Sequence, residues 1–264
     1  IYSLGSMLGI SNAEGLLKLI DEVEIYGLDA ISTGVVLAWA TEAFQRGIVT
    51  ERETLGLKFK WGDHEAYIRA VKMIVDQPNE FYRALAKGVR YASSIYGGEE
   101  FALAYGGNEM PGYHTGPAAH AGFLTGARHS HLDSAGYSLD EKAYVSKEEL
   151  TVERVAEYLF KEESWRQILT SLVICLFARG IYKPPMVVKA LKVLGYEYGE
   201  EDLMRVGSEI LRNKYSFKVR EGFDFSKLKV PKRVTEIPTP HGIVKEEFIK
   251  KVVEMYASML NLSG

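Results

Sequence analysis

The spacing of apolar residues is the feature that most constrains how this chain can fold. They recur every three or four positions along most of its length, which places them on one face of an α-helix. The strict alternation that is typical of a half-buried strand is scarce, and no segment repeats another. These patterns predict an all-α protein.

Apolar periodicity and capping residues together locate the individual helices. The first contains Leu16, Ile20 and Val23, is capped by residues 11–12, and is expected to end at Gly27 in a left-handed turn. Further helices are predicted at about residues 31–47, 64–77, 79–97, 151–177, 184–194, 200–213 and 244–260. The helix that runs to 177 has two candidate starts, at residue 146 or at residue 151.

A glycine-rich segment between residues 98 and 150 separates two helical regions. It holds four of the six histidines, and its glycines disfavour long helices while letting the backbone approach a ligand closely. We therefore predict two helical domains, at residues 1–98 and 99–264, with the boundary near Gly97 and Gly98.

The segment at residues 217–240 is expected to be irregular, because it holds three prolines and several charges. Within and next to it, Arg220, Glu221, Lys232 and Arg233 are predicted to hold the segment on its domain through ion pairs. Contact between these residues and a cofactor phosphate is the alternative.

Composition limits the classes of partner that we expect. The chain has 264 residues, 47% of them hydrophobic, which is enough for a sizeable core. Its net charge of −3 gives no attraction to nucleic acid or to an anionic membrane. No apolar run reaches the roughly 20 residues of a membrane span, and residues 168–178 are expected to form a buried helix. The single cysteine and the lack of a signal-peptide pattern favour the cytoplasm.

The turn between the first two helices concentrates polar groups. Glu24 and Asp29 lie on either side of Gly27, and Ser32 and Thr33 follow close to a helix N-terminus. Such a turn offers acceptors and free backbone N–H groups to a polar ligand. It is equally typical of a plain helix connection in which Asp29 is the cap.

Residues 24–34 resemble the Asp-x-x-Gly-Leu-Asp-x-Ile-Ser-x-Gly pterin-binding motif of the aldehyde:ferredoxin oxidoreductase family of tungsten enzymes. Glu24 replaces the first Asp of that motif and keeps the carboxylate. Other stretches similar to the family follow in its order, at residues 85–89, 126–129, 206–210, 217–222 and 230–233. The resemblance spans essentially the whole chain. It implies two helical domains like family domains 2 and 3, without the N-terminal β-rich domain.

The resemblance also implies a bis-pterin cofactor with tungsten, or alternatively molybdenum, in the intact enzyme. Glu24, Gly27, Leu28 and Asp29 would contact the pterin. Thr170 stands where the family has a second pterin-binding Asp, and it would give one hydrogen bond without a charge.

Cys175 has two interpretations. Taken by itself, a lone cysteine in an apolar segment is predicted to be a small buried hydrophobe. The family's Asp-x-x-Gly-Leu-Cys motif instead makes it the fourth ligand of a [4Fe–4S] cluster, although Val173 replaces the Gly. Such a cluster needs about four thiolates, and the family's other three come from an upstream Cys-x-x-Cys-x-x-x-Cys group. The isolated chain is therefore expected to hold neither cluster nor tungsten.

Among the histidines, the resemblance places His129 nearest to catalysis. It would lie beside the metal and donate to an oxo ligand or to the substrate carbonyl oxygen. Considered alone, a loop histidine is as often a surface residue, and His131 would be a supporting polar group. The family's Asp-Pro-Arg is replaced at residues 114–116, so no substrate preference is implied. His114 and His120 form only a weak metal-binding pattern.

The function implied is that of the C-terminal part of an enzyme that oxidises aldehydes to carboxylic acids and passes electrons to ferredoxin. Its expected partners are the missing N-terminal cofactor-binding domain, ferredoxin, the aldehyde and a second copy in a homodimer. The isolated chain is expected to be inactive. One alternative is a cofactor-free helical paralogue that acts as a structural or assembly partner. A weaker alternative is a small-molecule binding module built on the glycine-rich segment.

Overall fold

The chain folds into α-helices joined by short connections, as a computed structural model of residues 1–262 describes it. The helices are α1 Ala13–Ile25, α2 Ala30–Gln45, α3 His64–Asp76, α4 Glu80–Ala86, α5 Val89–Tyr96, α6 Pro117–Thr125, α7 His131–Ser134, α8 Gly136–Ser146, α9 Val152–Ser171, α10 Pro184–Val193, α11 Glu200–Arg220 and α12 Glu246–Leu260. Short 3-10 helices lie at Ser6–Leu8, Glu99–Phe101, Leu176–Ala178, Phe225–Lys227 and Lys232–Thr235. The all-α prediction is confirmed.

Strands are confined, among the described residues, to two small antiparallel hairpins. In the first, β1 Ala104–Tyr105 pairs with β2 Asn108–Glu109. In the second, β3 Pro238–Thr239 pairs with β4 Gly242–Ile243. Each strand is two residues long, so neither hairpin forms a sheet that could organise a core.

The chain divides into two compact units. The first comprises Ile1–Tyr113 and Lys229–Ile237, and the second comprises His114–Leu228 and the chain from Pro238 onwards. Gly97 and Gly98 lie inside the first unit, because the β1–β2 hairpin that follows them packs on α2. These units describe packing, and the boundary between the two family domains stays a prediction.

The first unit is built around α2. This helix carries apolar residues on all its faces, and Leu37, Trp39 and Ala40 are almost fully buried, as expected of a central helix. Trp39 stacks on Phe101. Arg233 makes a bidentate ion pair with Glu42 at 2.8 and 2.6 Å, which holds the 229–237 segment on α2. The predicted role of Arg233 in an ion pair is confirmed.

The second unit is built around α9, which packs against α11 and α12. Gly207 allows the close approach of α11, since a Cβ atom there would lie 2.3 Å from the Ser164 carbonyl oxygen. Leu159, Tyr215 and Tyr256 are fully buried between these helices. The same core contains the fully buried side chain of Glu163.

Most predicted helix boundaries are confirmed, and three are wrong. The helix expected at 79–97 is broken at Gly88, whose φ is +90°, and Glu109 accepts a hydrogen bond from the freed Val89 N–H. Helix α9 begins after Thr151 and ends six residues before the expected 177. Helix α11 continues to Arg220, into the segment predicted to be irregular.

No single helix within residues 1–262 is both long and apolar enough to cross a bilayer. Helices α1 and α2 meet that requirement only as a pair, and they are bent by 116° at the break between them. Most of α2 is buried in the core of the first unit.

Candidate functional site

The turn between α1 and α2 is an open, polar corner of the first unit. Gly27 has a φ of +66°, and an added Cβ would meet nothing within 4 Å, so the glycine is needed for its backbone conformation. Asp29 caps α2 by accepting a 2.7 Å hydrogen bond from the Ser32 N–H. Glu24 and Asp29 are both exposed, and Leu28 is half-buried. The carboxylates are therefore available to a ligand, and their contact with a pterin stays a prediction.

The hydroxyls of Ser32 and Thr33, which follow this turn, are less available to a ligand than the sequence predicts. The Ser32 hydroxyl donates a 2.8 Å hydrogen bond to Glu109, and Thr33 is buried. Glu109 also accepts from the Val89 N–H at 2.9 Å. Sequence reasoning missed Glu109, because its partners are 20 and 77 residues away.

The chain around Cys175 leaves the helix before it reaches the cysteine. Helix α9 ends in a Schellman turn, in which the Val173 N–H donates to Thr170 and the Ile174 N–H donates to Leu169. Val173 takes the left-handed position with a φ of +57°. Cys175 follows in an exposed loop. The prediction of a buried helix over 168–178 is thus wrong beyond residue 171, because the backbone turns there.

A left-handed position at residue 173 suits the glycine that the resemblance implies there. A left-handed residue at the end of a Schellman turn is usually glycine, and a β-branched residue there is a steric outlier. The turn forms with Val173 in the left-handed position, and Cys175 follows it in the exposed loop. Thr170 is exposed on the last turn of α9, and its contact with a pterin stays a prediction.

Val173→Gly is expected to stabilise the chain by about 0.5–1 kcal/mol. The left-handed conformation costs a side-chain-bearing residue about 1–2 kcal/mol, and the greater freedom of unfolded glycine offsets part of the gain. Val173 is 91% exposed, so little packing is lost. Urea unfolding measures the change.

Val145→Gly is the matched control, because Val145 is 82% exposed and lies within helix α8. It is expected to destabilise by about 0.3–0.5 kcal/mol. Destabilisation by both substitutions would contradict the strain assigned to Val173.

The segment around and after Cys175 exposes many apolar side chains. The apolar surface at residues 172–198 comprises exposed side chains from the loop, from α10 and from the connection to α11. These are Leu172, Val173, Phe177, Ile181, Tyr182, Met186, Val193, Leu194, Tyr196 and Tyr198.

His129 lies in the second unit, in a loop that leaves it only 8% exposed. Its Nδ1 lies 3.0 Å from the Phe123 carbonyl oxygen, and its Nε2 lies 3.3 Å from the Lys218 ammonium. Burial, and then the charge of Lys218, lower the pKa of the imidazole below its usual value. The interpretation of His129 as a surface residue is wrong, and its place beside a metal stays a prediction.

Asp133 holds the loop that carries His129. Its carboxylate accepts from the backbone N–H groups of Arg128 and Ser130 at 2.9 and 3.0 Å, and from the Arg128 side chain at 2.8 Å. These contacts bracket His129, whose φ is +57°. Asp133 is 2% exposed, so the bonds are shielded from water.

Glu163 and Lys218 extend this arrangement into the core. Glu163 is fully buried and accepts hydrogen bonds from the Ala127 N–H and the Tyr256 hydroxyl. Burial raises its pKa to about 8. Sequence reasoning missed both residues, since Lys218 lies in the segment predicted to be irregular and Glu163 is one of many helical glutamates.

The remaining histidines are placed apart from any set of metal ligands. No group of three or more His, Cys, Asp or Glu side chains suited to a metal occurs within residues 1–262. His114 Nδ1 lies 2.9 Å from His120 Nε2, and burial lowers the pKa of His120 to about 3. His131 is half-buried.

The chain belongs to a family of tungsten oxidoreductases, the aldehyde ferredoxin oxidoreductases. The family description "Aldehyde ferredoxin oxidoreductase, domains 2 & 3" matches residues 1–263. The chain is 28% identical to the tungsten-containing aldehyde ferredoxin oxidoreductase of Thermococcus kodakarensis and 27% identical to that of Pyrococcus furiosus. Both matches cover 100% of this chain and 45% of the relative, so the chain spans less than half the length of these enzymes.

The chain is also similar to part of another oxidoreductase subunit and to a solved structure. A 90-residue match, 38% identical, links 34% of this chain to 14% of the aliphatic sulfonate oxidoreductase WOR-like subunit of Pyrococcus furiosus. The solved active-site complex BamBC of benzoyl coenzyme A reductase, in complex with 1,5-dienoyl-CoA, superposes with a TM-score of 0.76 over 96% of this chain and 44% of that chain. At 19% identity, this second similarity shows the fold alone.

Proposed function

We propose that this chain is the helical C-terminal portion of a tungsten-pterin, iron–sulfur oxidoreductase that converts aldehydes to carboxylic acids. The observation that carries the proposal is the position of Cys175, whose thiol is exposed directly after the Schellman turn. A thiol sealed among aliphatic side chains would not serve as a ligand. This exposed thiol has the right chemistry for an iron site.

The residues present fit part of the cofactor set. Cys175 supplies one of the roughly four thiolates that a [4Fe–4S] cluster needs, and Glu24 and Asp29 supply exposed carboxylates for pterin N–H groups. We infer that the other ligands would come from a part of the enzyme outside this chain. When bound, the tungsten-pterin centre would supply the two-electron oxidation of the aldehyde, with water as the oxygen source and ferredoxin as the acceptor.

The apolar surface at residues 172–198 supports a role as part of a larger protein. Val173 and Phe177 are 91% and 94% exposed and flank the cysteine. Leaving such side chains in water forgoes about 1.5–3 kcal/mol each relative to burial. We infer that the cofactor-binding portion covers this surface, and that the isolated chain is inactive.

Metal analysis of the longer polypeptide tests this proposal. Tungsten and about four irons per chain are expected, together with oxidation of an aldehyde and reduction of ferredoxin. The isolated chain, loaded under the same conditions, is the control and should retain neither metal. A longer polypeptide that is folded, colourless and free of metal would overturn the proposal.

Two replacements favour a second candidate, a cofactor-free paralogue that acts as a structural or assembly partner. Thr170 lacks the charge of the family's Asp, and Val173 strains a turn that the family makes with glycine. The metal-free outcome of the experiment above would support this candidate.

A further inference from the structure

The Lys218 ammonium is surrounded by three groups that can accept from it. It donates to the Ala127 carbonyl oxygen at 2.9 Å, lies 3.3 Å from His129 Nε2, and stands 3.9 Å above the centre of the Phe223 ring. An ammonium has three hydrogens and no lone pair. Lys218 must therefore be the donor toward His129.

The other ring nitrogen of His129 decides the tautomer. Nδ1 lies 3.0 Å from the Phe123 carbonyl oxygen, which can only accept, so the proton of a neutral ring is on Nδ1. The lone pair of Nε2 then points at the Lys218 ammonium. The two contacts are mutually consistent, and together they define one protonation state of the pair.

We propose that Lys218 is a positioning residue for His129, which locks the imidazole as the neutral Nδ1–H tautomer and places the positive charge of the pair on the lysine. This proposal rests on the proposed function in one respect, since the pair takes part in catalysis only if the chain belongs to the enzyme. Both ring nitrogens of His129 are then engaged, Nδ1–H by the Phe123 carbonyl oxygen and Nε2 by Lys218, so the state of the ring depends on Lys218.

The acidic groups that face the pair come from two helices. Asp133 on α7 raises the pKa of both His129 and Lys218, and Glu163 on α9 raises that of Lys218. Burial lowers the pKa of each, and it is the largest influence on both. Tyr256 on α12 contributes a neutral hydroxyl bonded to Glu163. Asp133 therefore supports the charge of Lys218, and Glu163 does so only when it is ionised, whereas His129 has one carboxylate and faces a cation.

Nitrogen NMR of this chain, with labelled histidine, tests the proposal. The His129 ring of the unaltered protein is expected to carry its proton on Nδ1 at pH 8, and to become charged only below the usual pKa of a histidine. A ring with its proton on Nε2 would overturn the proposal without any variant.

Lys218→Met removes the charge and keeps most of the length of the side chain. The pKa of His129 is then expected to rise by about one unit or more, since a like charge within about 4 Å is lost. Lys218→Arg should keep the value near that of the unaltered protein. Lys214→Met is the matched control, because Lys214 lies one turn earlier on α11 and bonds Gln167 instead. An equal His129 pKa in the Lys218→Met and Lys214→Met proteins would overturn the proposal.

The pH dependence of aldehyde oxidation by the longer enzyme separates this inference from the proposed function. Lys218→Met is expected to move the profile to higher pH by a similar amount, whereas Lys214→Met leaves it in place. An enzyme without metal or activity would contradict the proposed function, and the NMR result would still decide the pairing of Lys218 with His129.

Discussion

Replacement of Cys175 by alanine is expected to remove most of the iron from the longer enzyme and, with it, the transfer of electrons to ferredoxin. A [4Fe–4S] cluster is held by about four thiolates, and under the proposed function this chain contributes one. In the isolated chain, the same replacement should change the free energy of unfolding by less than about 0.5 kcal/mol, because the side chain is exposed and lies outside a helix.

Iron content and the visible absorption of the longer enzyme measure the first effect, and circular dichroism measures helix content. Ser171→Ala is the matched control, because Ser171 is exposed at the end of α9 and has no thiol. A complete cluster spectrum in the Cys175→Ala enzyme would exclude this residue as a ligand.

The exposure of the thiol has its own test in the isolated chain. A thiol reagent should modify Cys175 in the folded protein nearly as fast as in urea, since no part of the second unit covers it. Protection by a factor of a hundred or more would contradict the exposed loop.

Asp133→Asn is expected to destabilise the second unit by about 2–3 kcal/mol. The amide has one acceptor oxygen, whereas the carboxylate accepts from two backbone N–H groups and the Arg128 side chain. At least one of these donors then faces the amide nitrogen, which is itself a donor, and such a mismatch costs about 1–3 kcal/mol. Because Asp133 brackets His129, the NMR signals of the His129 ring should shift as well.

Asp224→Asn is the control for this replacement. Asp224 also accepts from a backbone N–H, that of Ser226, but its side chain is 42% exposed. Water can satisfy the unpaired groups there, so a loss below about 1 kcal/mol is expected. Urea unfolding of both proteins measures the difference. Equal losses would show that Asp133 is not the residue that holds the loop.

Local signals predicted most of the helices because capping acts within a few residues. Asn12, Asp29, Asp63 and Asn79 each accept from a backbone N–H two or three positions later, and the identity of the residue is enough to predict this. The left-handed turn at Gly27 is also a local feature, because glycine is the residue that most readily adopts this conformation. The open corner with Glu24 and Asp29 was predicted for this reason.

The end of α9 was missed because the signal that marks such an end is absent. A Schellman turn is recognised by glycine, and here Val173 occupies the left-handed position. The apolar residues on both sides then continue the helical pattern, so periodicity predicts a helix through Cys175. The exposed thiol follows from the backbone turn and not from the composition of the segment.

The amino-acid sequence by itself determined the all-α class, the family and the carboxylate turn, because periodicity, caps and motifs are written in neighbouring residues. Only the tertiary structure decided what surrounds His129. Lys218 lies 89 residues after it, and Asp133 acts together with a core that brings Glu163 close to Lys218. Contacts at such separations depend on how the helices pack, and that packing sets the burial and the charges that control a proton.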